Sequence, residues 1–254
     1  LFDREEFVGG RVRTDEYKGY RLDRGFQILL TAYPEARCFL NYEELDLRSC
    51  YPGSRVWFEN RFHQVADPFR KPKDGLNSLF NPIGMLRDKL RVGFLRLGLL
   101  STRSMPDELP TFQALKQLGF SSSMMDRFWK PFMRGVFLEN GLSTSVRKFE
   151  ETFRLFAQGQ TALPRLGIGE IPQQMARSLP PNCLRLSHRV GKVGNHFVES
   201  ADGQRWEGRA VVLATESDVA DQLLGMESEK PKSWNSVDCL YFSLPSGDLP
   251  IAKP

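Results

Sequence analysis

Asp3-Arg4-Glu5-Glu6-Phe7-Val8-Gly9-Gly10-Arg11 stands at the start of the chain, directly after the apolar pair Leu1-Phe2. A carboxylate that closes a short apolar run is placed to accept hydrogen bonds from two ribose hydroxyls, as at the second strand of a dinucleotide-binding fold. Two adjacent glycines let a backbone approach a phosphate or a flat ring closely. An arginine beside them can neutralise phosphate charge. In such a fold a strand, a glycine-rich turn and a helix precede the acidic residue by about 20 residues. None of these precedes Asp3, so the chain is expected to begin inside a domain.

A length of 254 residues allows one large domain or two modest ones. The balance of 35 basic against 31 acidic residues leaves a net charge of only +4, and no basic stretch is interleaved with aromatics. No nucleic-acid partner is expected on that pattern. Cys38, Cys50, Cys183 and Cys239 lie far apart, and with His63, His188 and His196 they give no zinc-ligand spacing, so no metal is expected. Scattered cysteines of this kind read as reduced intracellular thiols. No run of about 18 apolar residues is present to span a bilayer.

Outward from the opening stretch, Tyr20-Arg21-Leu22-Asp23 alternates as a strand, Gly25 breaks it, and Phe26 to Thr31 is a second strand-forming run. Pro34 with Glu35 opens a helix. Residues 41–82 read as mixed and loop-rich, with Pro52-Gly53 and Asp67-Pro68 as turns. Residues 83–100 carry Leu86, Leu90, Phe94 and Leu97 at helical spacing, with Arg87, Lys89, Arg91 and Arg96 around that face. The expectation is a helix that buries the apolar stripe and solvates the basic residues; contact with an anionic membrane is the alternative. Further helices are expected over 107–118, after Ser121-Ser122-Ser123, over 149–158 and over 171–179. Then come short strands over 183–190, 196–200 and 204–207, the last two joined by Asp202-Gly203. Ala210 to Thr215 reads as a strand buried on both faces, and Val237 to Leu244 as one more strand.

Asp3, Gly9-Gly10-Arg11 and Asp23-Arg24-Gly25, followed by the loop Gly159 to Ile171, the late hairpin and Val211-Val212-Leu213-Ala214-Thr215, resemble the flavin-containing amine oxidase superfamily. That superfamily includes monoamine and polyamine oxidases, protoporphyrinogen oxidase and phytoene desaturase-like enzymes. Gly25 to Glu35 and Phe128 to Leu138 are similar to a plant and cyanobacterial subgroup of it, which would place the protein in a plastid or in cyanobacterial cytoplasm or at its membrane surface. The resemblance implies an α/β fold with an FAD/NAD(P)-binding Rossmann-like domain, incomplete here, and a mainly helical substrate-domain insertion. It implies FAD as cofactor, with Asp3 at the adenosine ribose and Gly9, Gly10 and Arg11 along the pyrophosphate and flavin. Gly25, Phe26 and Gln27 would lie under the flavin ring, Val190 at the adenine, and Ala214 and Thr215 over the adenosine. Most members carry Glu where this chain has the shorter Asp3.

The cofactor-binding domain is therefore expected over 1–37 and 160–226, and the substrate domain over 38–159 and 227–254. No catalytic residue stands out, because in flavoenzymes the cofactor itself accepts the hydride. His63 and His188 are candidate bases, with a capping or hydrated role the plainer reading of each. Phe128, Trp129, Phe132 and Phe137 are candidates to line an apolar cavity, with core packing the plainer reading. The expected function is FAD-dependent oxidation of an apolar, isoprenoid- or carotenoid-like substrate or of an amine. A non-catalytic membrane-surface or partner-binding protein of the same fold is the alternative. An NAD-dependent enzyme is disfavoured by the Gly-Gly-Arg that follows the acidic residue. These 254 residues alone are not expected to hold FAD tightly.

Overall fold

The computed structural model describes residues 1–25, 27–226 and 234–243. In chain order come β1 (Thr14–Tyr17), β2 (Tyr20–Asp23), β3 (Leu29–Leu30), α1 (Pro34–Phe39), β4 (Leu47–Ser49), β5 (Gly53–Phe58) and β6 (Arg61–Ala66). Helices α2 (Pro72–Ser78), α3 (Leu86–Arg96), α4 (Thr111–Gln117) and α5 (Ser122–Met124) follow. A π-helical turn (Met125–Trp129) then leads into α6 (Lys130–Phe137) and α7 (Val146–Gln158). The order closes with β7 (Thr161–Pro164), α8 (Glu170–Arg177), β8 (Val190–Gly194), β9 (Phe197–Ser200), β10 (Arg205–Glu207) and α9 (Ser217–Leu223). Two compact units result, one of Leu1–Gln27 with Leu166–Trp234, the other of Ile28–Arg165 with Asn235–Pro254.

The second unit holds the aromatic core. Ser145 caps α7 by accepting from the Lys148 amide, so the helix starts before the expected Phe149. Val146, Phe149, Thr152 and Leu155 then line up at three-residue spacing and are buried. Trp129 has no exposed surface and meets Phe120, Phe149 and Phe153 at ring-centroid distances of 5.4, 5.5 and 5.9 Å. Burial of each such side chain contributes roughly 1.5–3 kcal/mol. The last carbonyls of α7 would be orphans, and arginines satisfy them. Arg70 donates to Ala157 O and Gly159 O, and Arg96 donates to Ala157 O at 2.7 Å. Asp67 balances the two charges.

Helix α3 forms where expected but faces the other way. Leu86, Leu90, Phe94 and Leu97 are all exposed, whereas Asp88 is wholly buried and Val92 and Leu95 pack on the core. The reason lies in what the basic residues find on the inner side. Lys89 Nζ donates to Leu79 O and Asn81 O at 2.9 and 2.6 Å, and Arg96 serves α7. Asp88 accepts from the Met85 amide and from both the amide and hydroxyl of Ser121, at 2.8, 2.9 and 2.6 Å. These cations are therefore spent on carbonyls, and of the four only Arg87 is exposed.

Residues 53–66, within the stretch read as mixed and loop-rich, form the antiparallel hairpin β5–β6. Its two-residue turn is Glu59-Asn60, with φ of 49° and 58°. Two positive φ values suit the right-handed strand twist, but without a glycine the turn carries a weak sequence signal. The run from Phe26 to Thr31 shortens to β3, which pairs with β7 beside β4 in a three-stranded sheet. Residues 237–243 form no strand, and Leu244 lies outside the described residues.

In the first unit, β1 and β2 form a hairpin through Lys18-Gly19, and β8–β9–β10 form an antiparallel meander. Gly203 closes its second turn at φ 88°, with Asp202 accepting from the Gln204 amide. Two strand expectations fail. Residues 183–189 contribute only an isolated parallel bridge between Arg185 and Phe2. Residues 210–215 form no strand, and Val212 is 86% exposed. An apolar run becomes a buried strand only where neighbours accept its backbone, and none does here among the described residues.

Candidate cofactor site

The sequence candidates Asp3, Gly9, Gly10, Arg11, Gly25, Gln27, Val190, Ala214 and Thr215 all fall in the first unit; Phe26 lies outside the described residues. Asp3 is fixed by its backbone, which donates to Arg185 O at 3.0 Å and accepts from the His188 amide at 2.8 Å. One carboxylate oxygen accepts from the Glu5 amide at 2.9 Å, and Oδ2 makes no bond among the described residues. Val190 opens β8, rather than ending the preceding strand as expected, and pairs with Ser200. Asp3 and the approach to β8 are thus neighbours across more than 180 residues of chain.

The Gly-Gly-Arg turn is built differently at its two glycines. Gly9 has φ 105°, and a Cβ there would stand 2.4 Å from Val12 O and 2.6 Å from Pro172 Cγ of α8. The turn needs glycine at this point for its own packing. Gly10 has φ 54°, and a Cβ there would meet nothing within 4 Å, so its backbone borders open space. Arg11 pairs with Glu216 at 3.0 Å, next to Thr215, with the two side chains 71% and 47% exposed. Its guanidinium also lies 5.6 Å from the Trp234 ring. The Glu216 carboxyl is held below its ordinary range, first by its own backbone amide and then by Arg11.

Gln27 reaches inward: Nε2 donates to Arg11 O and Arg24 O at 2.7 and 2.8 Å, which clamps the turn to the chain beyond Gly25, itself at φ 79°. Thr14 Oγ1 donates to Asp23 Oδ1 and accepts from the Gly169 amide, while Asp23 accepts from the Ile168 amide. The loop ahead of α8 is thereby tied to the β1–β2 hairpin. Ala214 is exposed, and Thr215 bonds only locally, to Glu216 O at 3.3 Å. Sequence reasoning missed Glu216 and Pro172, and it offered His188 as a base rather than as the donor that fixes Asp3. Glu216 sits directly beside the expected Thr215; Pro172 carried no signal short of tertiary structure.

Each candidate histidine has one ring nitrogen against a backbone carbonyl. His63 is buried with Nε2 3.2 Å from Phe58 O, and His188 Nδ1 lies 2.7 Å from Leu186 O. No group of three potential metal ligands occurs among the described residues. In the second unit a cleft of about 460 Å³ opens between β5 and the π-helical turn, lined by Val56, Trp57, Phe58, Arg127, Phe128 and Phe132. Phe128 and Phe132 stack at 5.5 Å, and the Arg127 guanidinium lies 3.9 Å from the Phe58 ring. Of the expected cavity aromatics these two line the cleft. Trp129 is core, and Phe137 packs against the core.

The sequence pattern of flavin containing amine oxidoreductases matches residues 1–237. Among solved structures, a protein assigned as a protoporphyrinogen oxidase from Exiguobacterium sp. 255-15 is similar, with TM-score 0.57 and 16% identity over 89% of this chain and 55% of that one. Putrescine oxidase bound to putrescine is similar at TM-score 0.59 and 15% identity, over 87% of this chain and 53% of that one. The chain thus spans about half the length of these structures. They share its fold, an α/β FAD-binding architecture. No curated protein matches.

Proposed function

We propose a function from the premise that the chain belongs to the flavin containing amine oxidoreductase family. The protein is read as an FAD-dependent oxidoreductase, with cofactor binding in residues 1–37 and 160–226 and substrate binding in 38–159 and 227–254. The observation that carries the reading is the turn at Gly9-Gly10-Arg11. Its backbone is bare at Gly10, its cation is held by an exposed ion pair beside the Trp234 ring, and its far side is packed on α8. An exposed pair of this kind is worth about 0–1 kcal/mol, so exchanging Glu216 for a phosphate costs Arg11 little. These residues fit FAD.

Bound FAD would supply the acceptor for a hydride from substrate. The chain's own residues do the rest. Asp3 presents its unbonded Oδ2 to ribose hydroxyls, Arg11 neutralises phosphate charge, and Gln27 keeps the turn in shape through two carbonyls. Val190 at the adenine, Gly25 and Phe26 under the ring, and Ala214 and Thr215 over the adenosine complete the assignment. The aromatic cleft of the second unit supports an apolar, isoprenoid-like substrate ahead of an amine, since its one carboxylate, Asp126, pairs with Lys130. Peripheral contact with a membrane through residues 83–100 belongs to the same reading. A plant or cyanobacterial subgroup, with the location that goes with it, completes it.

The test is spectroscopic and kinetic on the full-length protein. A bound-flavin spectrum weakened at least tenfold in affinity by Arg11→Ala, with anaerobic bleaching by polyenes, is the expected result. Rapid bleaching by amines alone would refute the apolar substrate. A colourless protein that takes up no FAD would favour the non-catalytic alternative, for which the exposed stripe of α3 is the supporting observation.

A further inference from the structure

The surface around α3 combines two properties that seldom meet on a protein exposed only to water. Leu86, Leu90, Phe94 and Leu97 are 55%, 51%, 48% and 56% exposed and share one side of the helix, at spacings of four, four and three. Met85 just before the helix is 50% exposed, Phe80 at the end of α2 is 85% exposed, and Leu99 beyond it is 72% exposed. Scattered apolar side chains are ordinary on a surface, but a contiguous row of this size marks a contact face.

Charge selects the kind of contact. Between residues 68 and 106 the acidic residues are Asp74 and Asp88. Asp88 is buried and bonded to Ser121, and Asp74 bonds the Tyr51 hydroxyl. The exposed charges over that span are basic: Lys71 and Lys73 at the start of α2, Arg87 on α3 and Arg103 beyond it. Lys73, Leu76 and Phe80 follow one another at helical spacing, with Leu76 59% exposed. Lys89, Arg91 and Arg96, which the sequence also offered, are half-buried, and Lys89 and Arg96 serve backbone carbonyls. Among the described residues no helix is long and apolar enough to cross a membrane.

We infer that α3 lies in the plane of an anionic lipid surface, with Leu86, Leu90, Phe94 and Leu97 among the acyl chains and Arg87, with Lys71 and Lys73, at the phosphates. This deepens, and rests on, the membrane contact of the proposed function. The helix is already held from its other side by Asp88, Val92 and Leu95, so it docks as a preformed unit. Apolar insertion and cation attraction act together on such a face.

The test is flotation of the full-length protein with vesicles of phosphatidylcholine alone or with phosphatidylglycerol. Binding is expected only to the anionic vesicles, and it should weaken as salt shortens the screening length. The double variant Leu90→Glu/Phe94→Glu should lower the bound fraction on the order of tenfold, and Arg87→Glu should lower it severalfold. Circular dichroism and melting should stay unchanged, because these side chains are exposed. Phe94→Trp should shift its emission to the blue on vesicles and be quenched by brominated acyl chains. Equal binding to neutral vesicles, or flotation untouched by the double variant, overturns the inference. So does loss of a dimer in the double variant without vesicle binding by the parent, which assigns the face to a second copy. Flavin affinity measured in the same variants should not change, so a failure here is separable from a failure of the oxidoreductase reading.

Discussion

Helix α7 buries its apolar stripe against the aromatic core, whereas α3 turns an equally apolar stripe to solvent and packs with its other side. The two differ in what surrounds their polar residues. On α7 the buried line Val146, Phe149, Thr152 and Leu155 holds one hydroxyl among apolar groups, and the helix end delivers carbonyls to Arg70 and Arg96. On α3 the buried line contains Asp88, which is tolerated there because three donors converge on it. Burying a carboxylate without such partners costs several kcal/mol, so a fully satisfied polar face can compete with an apolar one for the inside. Periodicity finds a face; donors and acceptors decide where it points.

The widest separation between the two helices comes from truncating their stripes. Phe149→Ala removes a fully buried ring beside Trp129 and Phe153 and should cost about 3–5 kcal/mol in chemical denaturation. A loss under 1 kcal/mol would mean that the core does not rest on α7. Next in size is Asp88→Ala, which strands the Ser121 amide and hydroxyl and the Met85 amide and should cost about 2–3 kcal/mol.

Asp88 also gives α3 a pH signature. Burial pushes its carboxyl up, but the Ser121 hydroxyl and amide and the Met85 amide together outweigh it, and the group stays charged below its ordinary value of 3.8. A folded-state pKa below the unfolded one means that stability is present above the unfolded pKa and lost as pH falls through the folded one. Unfolding measured between about pH 5 and 2 should therefore show a drop in the parent that Asp88→Asn flattens. An identical slope in the variant would remove Asp88 from the account of why α3 is turned outward.

What the sequence revealed of this molecule was local. Pro34 opening α1, Ser121 capping α5, Gly119 at φ 82° ending α4 and Asp202-Gly203 closing the meander turn all act within a few residues. The Glu59-Asn60 turn escaped because no glycine marks it and Glu59, unlike Asn60, does not favour a positive φ. The 210–215 run misled because burial of a strand depends on partners that the run does not itself encode. In the candidate site the same division holds. Gly9, Gly10 and Arg11 were legible as a turn, but Glu216, which holds the arginine, is 205 residues away. The Ser145 cap had a readable signal in Ser143-Thr144-Ser145 before an apolar period; Ser145→Ala should cost α7 about 1 kcal/mol, measured by thermal unfolding.

The smallest expected effect tests the comparison most directly. Leu90 is 51% exposed, and the unfolded chain also covers part of the surface it buries. Leu90→Gln keeps helix propensity nearly constant, so the measurement isolates side-chain burial. If α3 faces solvent with this stripe, the unfolding free energy in the absence of lipid should change by no more than about 0.5 kcal/mol, as for an ordinary surface position. A loss above about 2 kcal/mol would place Leu90 in a packed interior and make α3 a second α7, and the outward stripe would lose its meaning as a contact face. A small loss, set beside the cost of Phe149→Ala, would show two helices of similar pattern whose apolar faces serve different purposes, one holding the fold and the other free to bind.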